Sequence, residues 1–255
     1  MTAFNLTVKE TRMERIDKYL ALNGLVRSRT IAVKLIEEGS VQVNGAMITK
    51  PSHKVSATDD VQVLHSEITQ YVSRAGHKLA GALDAFDEIE VSGKRCLDAG
   101  ASTGGFTDVL LRRGAQRVVA VDVGHDQLVQ SIREDERVDV HEGMNVRYMR
   151  PGDIGGEAEL VVSDLSFISL TLVMEALSDS ARVGADLVLM VKPQFEVGKH
   201  QIGRGGVVTD PQAHQQAVDK VAASATEHGL TLQAVKESPL PGQDGNVEFF
   251  MWFRK

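Results

Sequence analysis

A single cysteine, Cys96, in 255 residues leaves no intramolecular disulfide and no multi-cysteine metal site. A buried, inert thiol is the expectation, and redox chemistry is excluded. Long apolar runs are missing too, and nothing approaches the roughly 20 consecutive apolar residues that a membrane helix needs. The opening residues, MTAFNLTVKETRMERIDKYL, lack the basic start, apolar stretch and small-residue cleavage site of an export signal, so a cytoplasmic chain is expected. Nor is there a surplus of base: the net charge is −7, which argues against a surface that is positive everywhere. Location tempers that reading. Through Leu64 the chain carries nine Lys/Arg against seven Asp/Glu, so the front is slightly basic and the rest strongly acidic. Such a front suits either a solvated charged face or a polyanion footprint.

The length suits one α/β core plus a small appended module. In the front segment, apolar residues recur at helical spacing over Arg15 to Leu22 and Ser28 to Glu38, with Gly24 and Gly39 where the chain must turn. VQVNGAMI then alternates Val41 and Val43 with polar neighbours ahead of Asn44-Gly45, a strong short hairpin signal. A division follows: a first domain at 12–66, a linker at 67–73, and a larger domain at 74–255 that opens on a helix through Leu79, Leu83 and Phe86.

The informative stretch is KRCLDAGASTGGFTDVLLRRGAQRVVAVDVG, which reads as strand, glycine-rich loop, helix, strand. Gly100, Gly104 and Gly105 let backbone approach a ligand closely, while the amides opening the helix at Phe106 offer free donors. The spacing departs from the G-x-G-x-x-G of a dinucleotide site. S-adenosylmethionine carries a carboxylate and an ammonium in place of a pyrophosphate, and a loop entered through an acid, Asp98, suits it; Ser102 and Thr103 belong to the same loop. Asp122, ending the second strand, stands where an acid can accept both ribose hydroxyls of an adenosine. Met144 and Asn145, after a third strand, are placed to bracket an adenine ring. Asp164 at the carboxyl end of a fourth strand and Lys192 at the end of a fifth should face the same crevice. Glu248 interrupts a final apolar strand, and a buried glutamate needs a partner.

Two resemblances follow. RIDKYLALNGLVRSRTIAVKLIEEGSVQVNGAMI resembles the S4 RNA-binding domain, which implies RNA contacts through Arg27 and Arg29, with Arg12, Arg15 and Lys34 alongside. The set Lys78, Asp164, Lys192 and Glu248 resembles that of FtsJ-type ribose 2′-O-methyltransferases. The phrases YVSRAGHKL, DAGASTGGFTD, SDLSFISL, KPQFE and GNVEFF resemble the TlyA family, once called hemolysins and regarded as ribosomal RNA 2′-O-methyltransferases. The resemblance implies an α/β, Rossmann-like, class I methyltransferase domain with a seven-stranded, mostly parallel sheet, behind a small α+β S4 domain. It also implies S-adenosylmethionine as methyl donor, Asp164 contributing to both cofactor binding and catalysis, no metal, and a cytidine of 23S ribosomal RNA as target, with 16S as a further one. The expected partner is ribosomal RNA within an assembled subunit, with no membrane, and the expected state is a monomer. Family members that act on both subunits tend to carry terminal extensions; a chain ending directly after its last strand leans toward the large subunit. Lys192 either holds the emerging alkoxide electrostatically or, if burial and Lys78 lower its pKa, acts as general base. The rival functions are a secreted or membrane-acting hemolysin and a non-catalytic S4-type RNA-binding protein.

Overall fold

The computed structural model describes residues 13–64 and 70–255, and the chain divides into two compact units, Met1–Gln70 and Tyr71–Lys255. Arg12 and 65–66 of the expected 12–66 domain, and 67–69 of the expected linker, lie outside the described residues.

In the first unit, β1 (Glu14–Arg15) leads into the helix Ile16–Leu22, a second helix spans Arg29–Glu37, and β2 (Val41–Val43), β3 (Ala46–Met47), β4 (Lys54–Val55) and β5 (Val61–Val63) follow. The second helix starts where Ser28 turns its hydroxyl back to accept from the amide of Ile31 at 3.3 Å. Asn44 and Gly45 both take positive φ, 52° and 80°, the paired left-handed conformation that joins β2 and β3 without splaying them. Ile16, Leu20, Leu35, Ile36, Val41 and Val55 are fully buried in one small core.

The second unit is built on β6 (Arg95–Ala99), β7 (Arg117–Asp122), β8 (Val138–Glu142), β9 (Ala158–Ser163), β10 (Ala181–Val191), β11 (Thr231–Glu237) and β12 (Phe249–Arg254). They form a seven-stranded sheet in the order β11-β12-β10-β9-β6-β7-β8, in which β12 alone runs against the others. Strands buried on both faces carry apolar residues at every position. Leu160, Val162, Val188, Met190, Phe250 and Trp252 face one core; Val161, Leu187, Leu189, Val191, Met251 and Phe253 face the other. Cys96 is fully buried in the first of these cores, which raises its thiol pKa to about 12. The chain order reverses between β6 and β9, and it is outside the carboxyl ends of such a pair that open α/β sheets hold ligands.

Several boundaries differ from the sequence reading by a residue, as helix and strand ends commonly do. The larger correction concerns Glu248. It immediately precedes β12, whose pairing begins at Phe249, and so does not interrupt the strand; its carboxylate is held in a buried ion pair with Lys78. Among the described residues no helix is long and apolar enough to cross a membrane.

Candidate active site

Sheet register assembles the site. Ala99 pairs with Ser163, Ser163 with Leu189, and Val191 with Phe249. The residues just past those pairs, Gly100, Asp164, Lys192 and Glu248, therefore emerge on one edge of the sheet. Lys78 reaches it from the helix Arg74–Ala85. The five line a single cleft of about 700 Å³, together with Ser102, Thr103, Gly105 and Phe106. That volume suits a cofactor and part of a second substrate.

Two ion pairs sit in the cleft wall. The Lys78 ammonium donates to Glu248 Oε2 at 2.5 Å, with both residues under 10% exposed. The Lys192 ammonium lies 2.7 Å from Asp164 Oδ1 and donates to Ser166 Oγ at 2.7 Å. The contact with Asp164 has ion-pair distance but not hydrogen-bond alignment, so Oδ1 remains without a hydrogen-bond partner. Each buried charge thus faces its opposite, which avoids the several kcal/mol an isolated buried ion costs.

The glycine loop is shaped by what cannot fit there. Gly100 has φ +94°, and a Cβ on it would sit 2.8 Å from the carbonyl oxygen of Asp164. A Cβ on Gly105 would run into the hydroxyl of Ser73 and lie 3.0 Å from the backbone nitrogen of Gly76. The first turns of the helices Arg74–Ala85 and Gly105–Arg112 consequently meet at backbone distance.

Five residues expected in the cofactor site stand outside the cleft lining: Asp98, Gly104, Asp122, Met144 and Asn145. Asp98 is fully buried beneath the loop, where Thr107 Oγ1 donates to its Oδ2 at 2.7 Å and Oδ1 has no partner. Burial raises its pKa to about 7, opposed by the Thr107 hydrogen bond and reinforced by the nearby negative charge of Asp164. The Asp122 carboxylate accepts from the amides of Ser102 at 2.8 Å and Gly124 at 2.7 Å, so it clamps the loop and has lone pairs left for further donors. Asn145 Oδ1 accepts from the amide of Arg147 and caps a short turn.

Other lining residues went unnoticed in the sequence. Ser73 Oγ and Gln194 Oε1 are buried, unpartnered polar atoms. Phe167 is 91% exposed with φ +63° and lies 5.3 Å from the ring of Phe195. Glu196 fastens the two loops that carry these groups: it accepts from Ser169 Oγ at 2.5 Å and from the amide of Leu170 at 2.7 Å, and Lys220 approaches it at 3.4 Å.

In the first unit Arg15 and Arg29 both fork onto Asp17, at 2.9–3.0 Å. The hydrogen bond from Arg15, joined by that from Arg29, holds the Asp17 carboxyl at about 2. Two guanidiniums on one carboxylate leave a surplus positive charge, and Arg27, Arg29 and Lys34 are exposed.

Residues 71–255 match the family model described as FtsJ-like methyltransferase. The chain belongs to that family. Residues 14–61 of this FtsJ-like methyltransferase match the S4 domain model. It is 54% identical over 243 residues to the 16S/23S rRNA (cytidine-2′-O)-methyltransferase TlyA of Mycobacterium tuberculosis, covering 95% of this chain and 90% of that one. The 23S rRNA (cytidine-2′-O)-methyltransferase TlyA of Campylobacter jejuni is 35% identical, over 89% of this chain and 94% of its own. A solved structure from Streptococcus thermophilus whose name carries the word hemolysin superposes with a TM-score of 0.73 at 38% identity, covering 96% of this chain and 89% of that one. The methyl donor of an FtsJ-like methyltransferase is S-adenosylmethionine. The cleft fits it: buried polar atoms of Ser73 and Gln194 await partners there, Asp98 Oδ1 does so just beneath it, and Gly100 and Gly105 keep open space that a Cβ would close.

Proposed function

We propose that the protein methylates the 2′-hydroxyl of a cytidine in ribosomal RNA, using S-adenosylmethionine. The target lies in 23S rRNA and, given 54% identity to a relative named for both RNAs, in 16S rRNA as well. The enzyme works as a cytoplasmic monomer on an assembled subunit. The observation that carries this reading is the convergence of Lys78, Asp164, Lys192 and Glu248, far apart in the chain, on one cleft beside the glycine loop.

Bound cofactor supplies an electrophilic methyl group on a sulfonium sulfur. The chain must orient a poor nucleophile toward it and manage one proton. Lys192, pinned by Asp164 and Ser166, presents its ammonium where a hydroxyl oxygen can accept from it, and it stabilises the negative charge that grows there as the O–H bond weakens. Deprotonated, the same nitrogen takes that proton; the pH profile of turnover separates the two roles. The Lys78–Glu248 pair, internally neutral, buttresses the same cleft. Ser73 and the positive ends of the helices Arg74–Ala85 and Gly105–Arg112 suit the cofactor carboxylate, Asp98 its ammonium, Asp122 the ribose hydroxyls, and Met144 and Asn145 the adenine. Gly104, Ser102, Thr103 and Phe106 complete the loop around it. The exposed ring of Phe167 at the cleft mouth suits stacking on an extruded base.

We read a division of labour, with an S4-like RNA-binding module at 12–66, a linker at 67–73 and a methyltransferase domain at 74–255. Support comes from the two compact units and the two family matches. In the first module Arg15, Arg27, Arg29 and Lys34, with Arg12, would hold RNA phosphates.

The test is transfer of labelled methyl from the cofactor to ribosomal subunits of cells lacking the enzyme, followed by mapping of the modified nucleotides. Lys192→Ala should abolish transfer while cofactor affinity stays within a few-fold of wild type. Wild-type turnover by that variant would refute the role of Lys192, and label absent from ribose would refute the reaction.

A further inference from the structure

The chain has 35 acids for 28 Lys/Arg, so carboxylate partners are plentiful. Across the methyltransferase unit most cations take one: Lys94 and Arg254 on Asp186, Arg95 and Arg117 on Asp139, Arg112 on Asp108, Arg113 on Asp84, Arg133 on Glu142, Arg137 on Asp135 and Arg182 on Glu159. Among the described residues of this unit, six cations besides Lys255 take part in no such ion pair: Arg74, Arg147, Arg150, Lys199, Arg204 and Lys236. Lys255 is engaged with the carbonyl of Ser178, away from the cleft lining, and Arg74 donates at 3.1 Å to the carbonyl of Pro241, which lines the cleft with it.

Their places in the fold are not scattered. Arg74 opens the helix that lines the cleft. Arg147 and Arg150 lie on the segment leaving the carboxyl end of β8. Lys199 and Arg204 lie on the segment leaving β10, where their neighbours Ile202 and Gly206 line the cleft. Lys236 is the penultimate residue of β11, beside Phe250 at the same edge of the sheet. β8 and β11 are the two outer strands. Six inter-strand spacings of about 4.8 Å separate these strands, about 29 Å in all, and the strands whose ends line the cleft lie between them.

Local detail fits a surface that meets phosphate. The Arg147 guanidinium rests over the ring of Tyr148, 5.8 Å from its centroid, and Tyr148 is 72% exposed. That contact orients the fork while leaving its N–H donors outward. Arg204 is flanked by Gly203, Gly205 and Gly206, the last two at φ +76° and +81°, a backbone that can follow a partner's contour. Asp244 shares the cleft rim, so contact is made by discrete cations and not by a uniformly positive face.

We propose that these six cations form a second RNA-backbone contact surface, on the methyltransferase unit itself, spanning both sides of the cleft. It rests on the ribosomal RNA reading above. It would let the catalytic unit grip the RNA flanking the target nucleotide independently of the S4 module. A 29 Å span fits a helical segment and exceeds a lone nucleotide.

The experiment uses the full chain and ribosomal RNA lacking the modification, with binding measured between 50 and 200 mM salt and methyl transfer measured in parallel. Paired substitutions Arg147→Gln with Arg150→Gln, and Lys199→Gln with Arg204→Gln, should each raise KM for RNA several-fold. Each should also flatten the dependence of log affinity on log salt by about 1 per cation removed. Cofactor affinity and kcat at saturating RNA should hold. Arg182→Gln with Arg117→Gln makes the same two-charge change at paired arginines of the opposite edge, where β10 and β7 begin, and should leave KM and the salt slope unmoved. If the wild-type chain methylates ribosomal RNA but both paired variants keep its KM and slope, this surface is wrong and the function stands. If the wild-type chain transfers no methyl to ribosomal RNA, the functional reading falls and the surface with it.

Discussion

Asp98 offers a stability effect whose sign and size can be worked out. The group is fully buried, and burial lifts its pKa from the usual 3.8 to about 7. The folded chain therefore holds this proton more tightly than the unfolded chain does. Stability referable to Asp98 is present in full below about pH 4, declines as pH climbs toward 7, and levels off above it. Over that interval, at about 1.36 kcal/mol per pH unit, the loss approaches about 4 kcal/mol. Asp98→Asn keeps an acceptor for Thr107 Oγ1 and removes the ionisation. The variant should gain on wild type as pH rises, by about 2–3 kcal/mol between pH 5 and pH 8. For a domain of this size that widens the gap in Tm by about 5–10 °C. Thermal melts of the cofactor-free protein at closely spaced pH values read it directly. A gap that stays constant with pH, or that closes as pH rises, would refute the assignment of a buried neutral carboxyl.

Three further expectations can be checked with standard assays. Gly100→Ala forces a Cβ to within 2.8 Å of the Asp164 carbonyl at φ +94°, so it should cost about 1–3 kcal/mol in urea unfolding and weaken cofactor binding in calorimetry. Glu196→Ala strips a buried amide and a hydroxyl of their acceptor and should destabilise by about 2–4 kcal/mol, whereas Glu196→Gln recovers part of that loss; equal melts for wild type and Glu196→Ala would show that the two loops are held elsewhere. Arg29→Glu should lower RNA affinity and its salt sensitivity with no change in cofactor affinity, and binding unaltered at moderate salt would remove the arginine from the RNA surface.

Much of the architecture was legible because it rests on local rules. Asn44-Gly45 allows one tight turn, and runs such as ELVVS and LVLMV are apolar at every position because both faces of their strands are covered. The place of Asp164 and Lys192 on the cleft was legible because each follows such a run directly. Pairing over distance is not carried by local pattern, and only the family resemblance grouped Lys78 with Glu248. Lys78 and Glu248 stand 170 residues apart, and their contact depends on β12 entering the sheet between β10 and β11, which neither segment encodes alone. Ser73, Gln194 and Phe167 escaped notice because their residue types are ordinary in loops, and only the cleft gives them meaning. Asp122 sits outside the lining for a reason no periodicity carries, since two loop amides claim its oxygens.

The place of β12 also orders events on the ribosome that makes this protein. Strand synthesis runs from β6 through β11 before β12 appears, yet β12 must lodge between two neighbours already made. Until it does, β10 and β11 cannot join through a common neighbour and Lys78 has no counter-ion. The wall of the cleft that the Lys78–Glu248 pair forms is therefore completed only once β12 has slotted home.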